Sequence, residues 1–129
     1  MTVKRVGNRL AIGVALAAAV PGYAFAFSIS VDWTGTEACF DRQSPVIHLS
    51  DVPKGTTEIK FRMTDLAVPS YPHGGGTVAY NGQASLPKGA FSYKGPCPPS
   101  PHRYRWVAEA LDAAGRVVGR AATSLKFPP

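Results

Sequence analysis

The chain has 129 residues, with 14 Lys and Arg against 8 Asp and Glu, a formal charge of +6, and two cysteines. That length excludes two full domains, and a hydrophobic content of 45% excludes a chain that is mainly disordered. Three of the cations, Lys4, Arg5 and Arg9, crowd the start, so charge is a weak argument for nucleic acid and no nucleic-acid partner is expected.

Those cations precede an apolar run from Leu10 to Val20, and the small residues Ala24 and Ala26 follow. The pattern reads as a secretory signal peptide over residues 1–26, cleaved after Ala26, because the run is too short to span a bilayer. Residues 27–129 are then expected to form one periplasmic or secreted domain, with eleven basic and eight acidic side chains. Cys39 and Cys97 both fall in this part, and an even count in an oxidising compartment favours a disulfide between them. Closing a loop of that size would stabilise the fold by roughly 3–4 kcal/mol in the chain-entropy account.

Phe27 to Trp33 alternates apolar and polar residues, the period of a half-buried strand with Phe27, Ile29, Val31 and Trp33 inward. Asp41 to Pro45 reads as a turn, Val46 to Leu49 as a short strand, and Ser50 to Gly55 as a turn cluster. Glu58 to Thr64 alternates again, with Ile59, Phe61 and Met63 on the core side. Leu66 to Gly76 is expected to be an irregular loop, Thr77 to Tyr80 a strand ending at the Asn81-Gly82 turn, and 83–92 coil. From Arg103 to Leu111 two periods compete, Tyr104, Val107, Ala108 and Leu111 suiting a helix face and Tyr104, Trp106 and Ala108 a strand, and strand is preferred; a turn at 112–115 and a last strand from Arg116 to Phe127 complete the series. Many short strands with turn signals between them, and no long amphipathic helix, predict an all-β antiparallel sandwich.

One stretch is chemically dense: Tyr93-Lys94-Gly95-Pro96-Cys97-Pro98-Pro99-Ser100-Pro101-His102-Arg103-Tyr104. Its prolines fix φ and remove N–H donors, so it is expected to be a stiff loop. His102 and Tyr104, two apart, share one face of the strand that follows. A rigid loop meeting a strand end is a good place for a small binding site. Each side chain also has an ordinary reading: His73 as a solvated loop residue, His102 at a surface strand start, Tyr104 in the core, Asp65 as a turn acceptor. The glycine run 74–76 lacks the Lys-Ser/Thr of a phosphate-binding loop.

Ser44-Pro45, Asp51 to Gly55, Met63-Thr64-Asp65 with Pro69, His73-Gly74, Gly95-Pro96-Cys97-Pro98-Pro99, His102-Arg103-Tyr104 and Ala110-Leu111-Asp112 occur in an order that resembles the phosphatidylethanolamine-binding protein (PEBP) family. The similarity is to its bacterial, Raf-kinase-inhibitor-like branch, in shortened form. It implies a Greek-key β-sandwich with a small anion pocket at one end, built here by Asp65, Pro69, His73, Gly95, Pro96, His102 and Tyr104. In that picture the imidazoles and the phenol donate to an anion and Asp65 orients a histidine. Two departures stand out: Ala67 where a second Asp is usual, and Pro72 where a Trp is common. The first removes a carboxylate partner for an ammonium headgroup.

The expected function is therefore that of a non-enzymatic binding protein for a phosphate-bearing or other small anionic ligand, such as a phospholipid headgroup, with no cofactor. A protein-interaction module of the protease- or kinase-pathway-inhibitor kind is the alternative. A metal-assisted hydrolase using Asp65, His73 and His102 is a third, though neither a Gly-x-Ser-x-Gly nor a His-Glu-x-x-His motif is present.

Overall fold

The computed structural model describes Thr2, Gly7, Gly13 and residues 26–129. Apart from those isolated positions and Ala26, the expected signal segment lies outside the described residues. Seven strands follow in order: β1 (Ser28–Asp32), β2 (Val46–Ser50), β3 (Glu58–Asp65), β4 (Gly75–Ala79), β5 (Ser85–Leu86), β6 (His102–Leu111) and β7 (Val117–Phe127). They form two antiparallel sheets, one of three strands in the order β1-β2-β5 and one of four in the order β4-β3-β6-β7. The chain is thus all-β among the described residues, as the alternation predicts.

Each sheet turns one face inward because its strands alternate. Along β3, Ile59, Phe61, Met63 and Asp65 are buried while Glu58, Lys60 and Arg62 are exposed. The core is strongly aromatic: Trp33 meets the edges of Tyr104 and Phe127, with ring centroids 6.1 and 5.2 Å apart, and Phe61 stacks on Phe91 at 5.3 Å. Such pairs add to the area term that drives burial of large rings.

Two differences from the sequence reading have local causes. β4 starts at Gly75, inside the stretch expected to be loop, because a Cβ there would meet Phe61 O at 1.8 Å and one at Gly76 would meet Phe91 Cβ at 2.6 Å. The glycines are therefore needed for close approach of backbone to β3 and to an aromatic ring. β5 lies inside the stretch expected to be coil, and is only two residues long because it exists through pairing with β2, Ile47 opposite Leu86 and His48 opposite Ser85.

The two cysteines form the expected disulfide, with Cα atoms 4.3 Å apart. It ends a ladder in which residues 39–44 run beside 91–96: Ser44 N to Phe91 O at 3.0 Å, Tyr93 N to Arg42 O at 3.0 Å, Gly95 N to Asp41 O at 2.8 Å and Cys39 N to Pro96 O at 2.9 Å. Among the described residues, no helix is long and apolar enough to cross a membrane.

Candidate functional site

The site forms where the C-terminal end of β3 lies beside the N-terminal end of β6. Their antiparallel register sets Asp65 opposite Tyr104, so the last residue of one strand faces the first turn-side residues of the other. Asp65 is 5% exposed, yet it is well served: Oδ2 accepts from His102 Nδ1 at 2.8 Å and Oδ1 accepts from Ala67 N at 2.9 Å. Burial pushes its carboxyl up, but the His102 bond, the Ala67 N–H and the histidine's charge outweigh it and hold the carboxyl below the ordinary range. Asp65 is thus an ionised orienting group, and its acceptor role makes His102 Nδ1 the donor, leaving Nε2 for a guest.

His73 is fixed from the other side. Its backbone O accepts from Lys94 N at 2.9 Å, and its Nδ1 lies 2.7 Å from Lys94 O. A carbonyl only accepts, so Nδ1 carries the proton and Nε2 is again the nitrogen with no partner among the described residues. His73 is 5% exposed and stands edge-on to Tyr104, ring centroids 5.6 Å apart.

Tyr104 forms the floor. It is fully buried, and its Oη has no hydrogen-bond partner among the described residues. Burial, then the neighbouring Asp65 charge, pushes the phenol up to about 12, so it stays a neutral donor across the physiological range.

These groups surround a cavity of about 340 Å³ that Asp65, His73, Gly95, His102 and Tyr104 all line. Five of the seven residues expected at the site therefore come together. Pro69 and Pro96 do not reach it: Pro69 is exposed on the far side of the 66–72 loop, and Pro96 is buried behind the wall, its carbonyl bonded to Cys39 N. Gly95 is in the wall because a Cβ there would meet Asp41 O at 2.4 Å.

The sequence reading missed two linings, Val68 and Tyr71, while Cys97, Pro98 and Pro99 of the stiff loop it singled out form the apolar side. Tyr71 packs on His73 with centroids 4.6 Å apart, and its position two residues before that histidine was the available signal. It also missed Asp41, which supports the wall from outside. The Asp41 carboxylate accepts from Glu37 N at 2.9 Å, Gln43 N at 3.0 Å and Lys88 Nζ at 3.1 Å. Among the described residues, no group of three or more His, Cys, Asp or Glu side chains is placed to hold a metal ion.

Fold and site together define a class: an antiparallel sandwich of two sheets whose end carries a small cavity with two oriented imidazoles. Solved structures share that fold. The chain is similar to a PEBP homologue, CT736, from Chlamydia trachomatis, with a TM-score of 0.54 and 17% identity over 79% of this chain and 97% of that one. It is likewise similar to E. coli YbcL, described as a new member of the mammalian PEBP family, with a TM-score of 0.56 and 18% identity over 80% and 98%. No protein-family model matches the sequence, and no curated protein matches it. The PEBP-like fold that the sequence motifs imply is thus the fold of the chain.

Proposed function

We propose that this protein is a PEBP-like, non-enzymatic binding protein that takes a small anionic ligand, a phosphate monoester or diester, in the cavity between His73 and His102. The observation that carries the reading is the paired commitment of the two Nδ1 atoms, one to Asp65 and one to Lys94 O, which leaves both Nε2 atoms available. In a neutral ring of this tautomer Nε2 accepts; protonation turns it into a charge-assisted donor. The cationic rings therefore hold an anion more tightly than the neutral ones. The names of the two solved homologues, which refer to phosphatidylethanolamine binding, support a phosphate-bearing headgroup as the guest. The loss of a second carboxylate at Ala67 argues for recognition of the phosphate more than of the ammonium group. The disulfide supports an oxidising, periplasmic or extracellular setting.

The test is titration with inorganic phosphate and with phosphoethanolamine, followed by NMR of the histidine side chains at two pH values. Shifts of His73 and His102 that grow stronger at the lower pH are expected. Unmoved resonances at millimolar ligand would sink the proposal.

A second reading, an inhibitor-like protein-interaction module, is supported by the rim. Phe40 is 98% exposed in a left-handed backbone conformation, φ 61°, and Leu66, Val68 and Tyr71 are each 44–49% exposed near the mouth. Exposed apolar groups of this kind suit a protein partner. Phe40→Ser separates the two readings: in the titration it leaves the phosphate response intact under the first, and in an inhibition assay it removes protease inhibition under the second.

A further inference from the structure

We propose that the outer face of the β4-β3-β6-β7 sheet is a docking surface for an anionic phospholipid bilayer. The antiparallel register puts Lys60 and Arg62 of β3, Arg103 and Arg105 of β6, and Arg120 and Lys126 of β7 on this one face, two from each of three adjacent strands. All six are exposed. Only two acids, Glu58 and Glu109, share the face, and Glu109 is engaged by Arg120 at 3.2 Å. Among the described residues no carboxylate pairs with Lys60, Arg62, Arg103, Arg105 or Lys126.

The rest of residues 27–129 has five basic and six acidic side chains, so the excess positive charge of this part lies on this face. The concentration is costly. Arg103 stands directly opposite Lys126 in the ladder, and like charges in that position destabilise a sheet. An opposing layer of negative charge removes that cost.

Shape selects the partner. Strand spacing and rise spread the six cations over roughly 10 by 20 Å, a plane rather than a track. The side chains between them are small, weakly polar or a single aliphatic: Thr64, Thr77, Ala122 and Ser124, with half-buried Val107 between Arg62 and Ala122. No aromatic residue on the face offers a platform for stacking bases, as single-stranded nucleic acid would use. A bilayer of acidic lipid presents its charge in a plane, and each Lys or Arg near such a surface adds to the attraction.

The test is co-sedimentation of the full chain with phosphatidylcholine vesicles, alone and with about one-third phosphatidylglycerol. Binding only to the acidic vesicles, and release by salt, is expected. Arg62→Glu with Arg105→Glu should weaken binding by roughly a hundredfold or more, and the glutamine pair by less. Residues 1–26 are common to all variants, so adsorption through them would survive the charge reversal and overturn the proposal. No binding at low salt, or tighter binding to duplex DNA or heparin than to vesicles of equal charge, also overturns it. The reversed variant keeps its circular dichroism and the phosphate response of its histidines, which separates failure of this face from failure of the cavity.

Discussion

The two faces of β6 are fixed by different things. Inward, Tyr104, Trp106, Ala108 and Ala110 are all fully buried, with the Tyr104 and Trp106 rings packed against Trp33 and Trp106 also against Phe91 and Tyr93. Outward, Arg103 and Arg105 are exposed, and on that side of β6 Glu109 is the charged residue with an opposite-charge partner. One strand thus carries a jigsaw on one side and a charge array on the other, and the strand's end, at His102, is where a buried side chain becomes available to solvent. Packing dictates residues on the first side, whereas on the second side only charge and exposure are specified.

The sharpest way to break that contrast is substitution of neighbours on opposite faces. Trp106→Ala should cost roughly 3–5 kcal/mol, the usual cost of emptying a buried large aromatic site, while Arg105→Ala should stay within about 0.5 kcal/mol. Denaturant unfolding of the two variants measures the difference, and equal losses would show that β6 is not packed as described.

A smaller effect is expected at the boundary between the faces. Asp65→Asn should cost roughly 1–3 kcal/mol at neutral pH, since a charge-assisted bond to His102 is weakened. The Asp65 carboxyl is held below its ordinary 3.8, so its contribution is present above that value and disappears as pH falls below it. The gap between wild type and Asp65→Asn should therefore close in acid. A gap that stays constant down to pH 2 would remove Asp65 from this role.

The smallest effect belongs to the floor. Among the described residues Tyr104 Oη is buried with no hydrogen bond of good geometry, so Tyr104→Phe should change stability by no more than about 1 kcal/mol, in either direction. If the variant is much less stable, the phenol is bonded to something in solution; if it also loses phosphate affinity, the floor takes part in binding.

The same contrast explains what could be read from the sequence. Alternation in 27–33 and 58–64 marked β1 and β3 because those strands bury one face and wet the other, and periodicity records that directly. β5 left no such mark, since two residues are too few for a pattern and their pairing depends on β2, nearly 40 positions earlier. β4 was misplaced by two residues because glycine is a poor strand former on its own, and only the nearness of Phe61 and Phe91 explains its presence. For the cavity, nothing local connects Asp65 to His102; a register between distant strands does, and the motif resemblance was the route to it. Pro69 and Pro96 came with that motif, yet they shape the loops without touching the cavity.

The segment 66–72 leaves Asp65 and returns at His73, and both of those ends are tied down, one by His102 and the other by Lys94, while the seven residues between them are exposed and two of them, Val68 and Tyr71, also line the cavity. It works like a handle bolted at both ends. Sequence there can be exchanged as a cassette if the Ala67 N–H that serves Asp65 and the Tyr71 ring that packs on His73 are kept, so a library of grafts across this arch is the economical route to retargeting the protein toward a different guest.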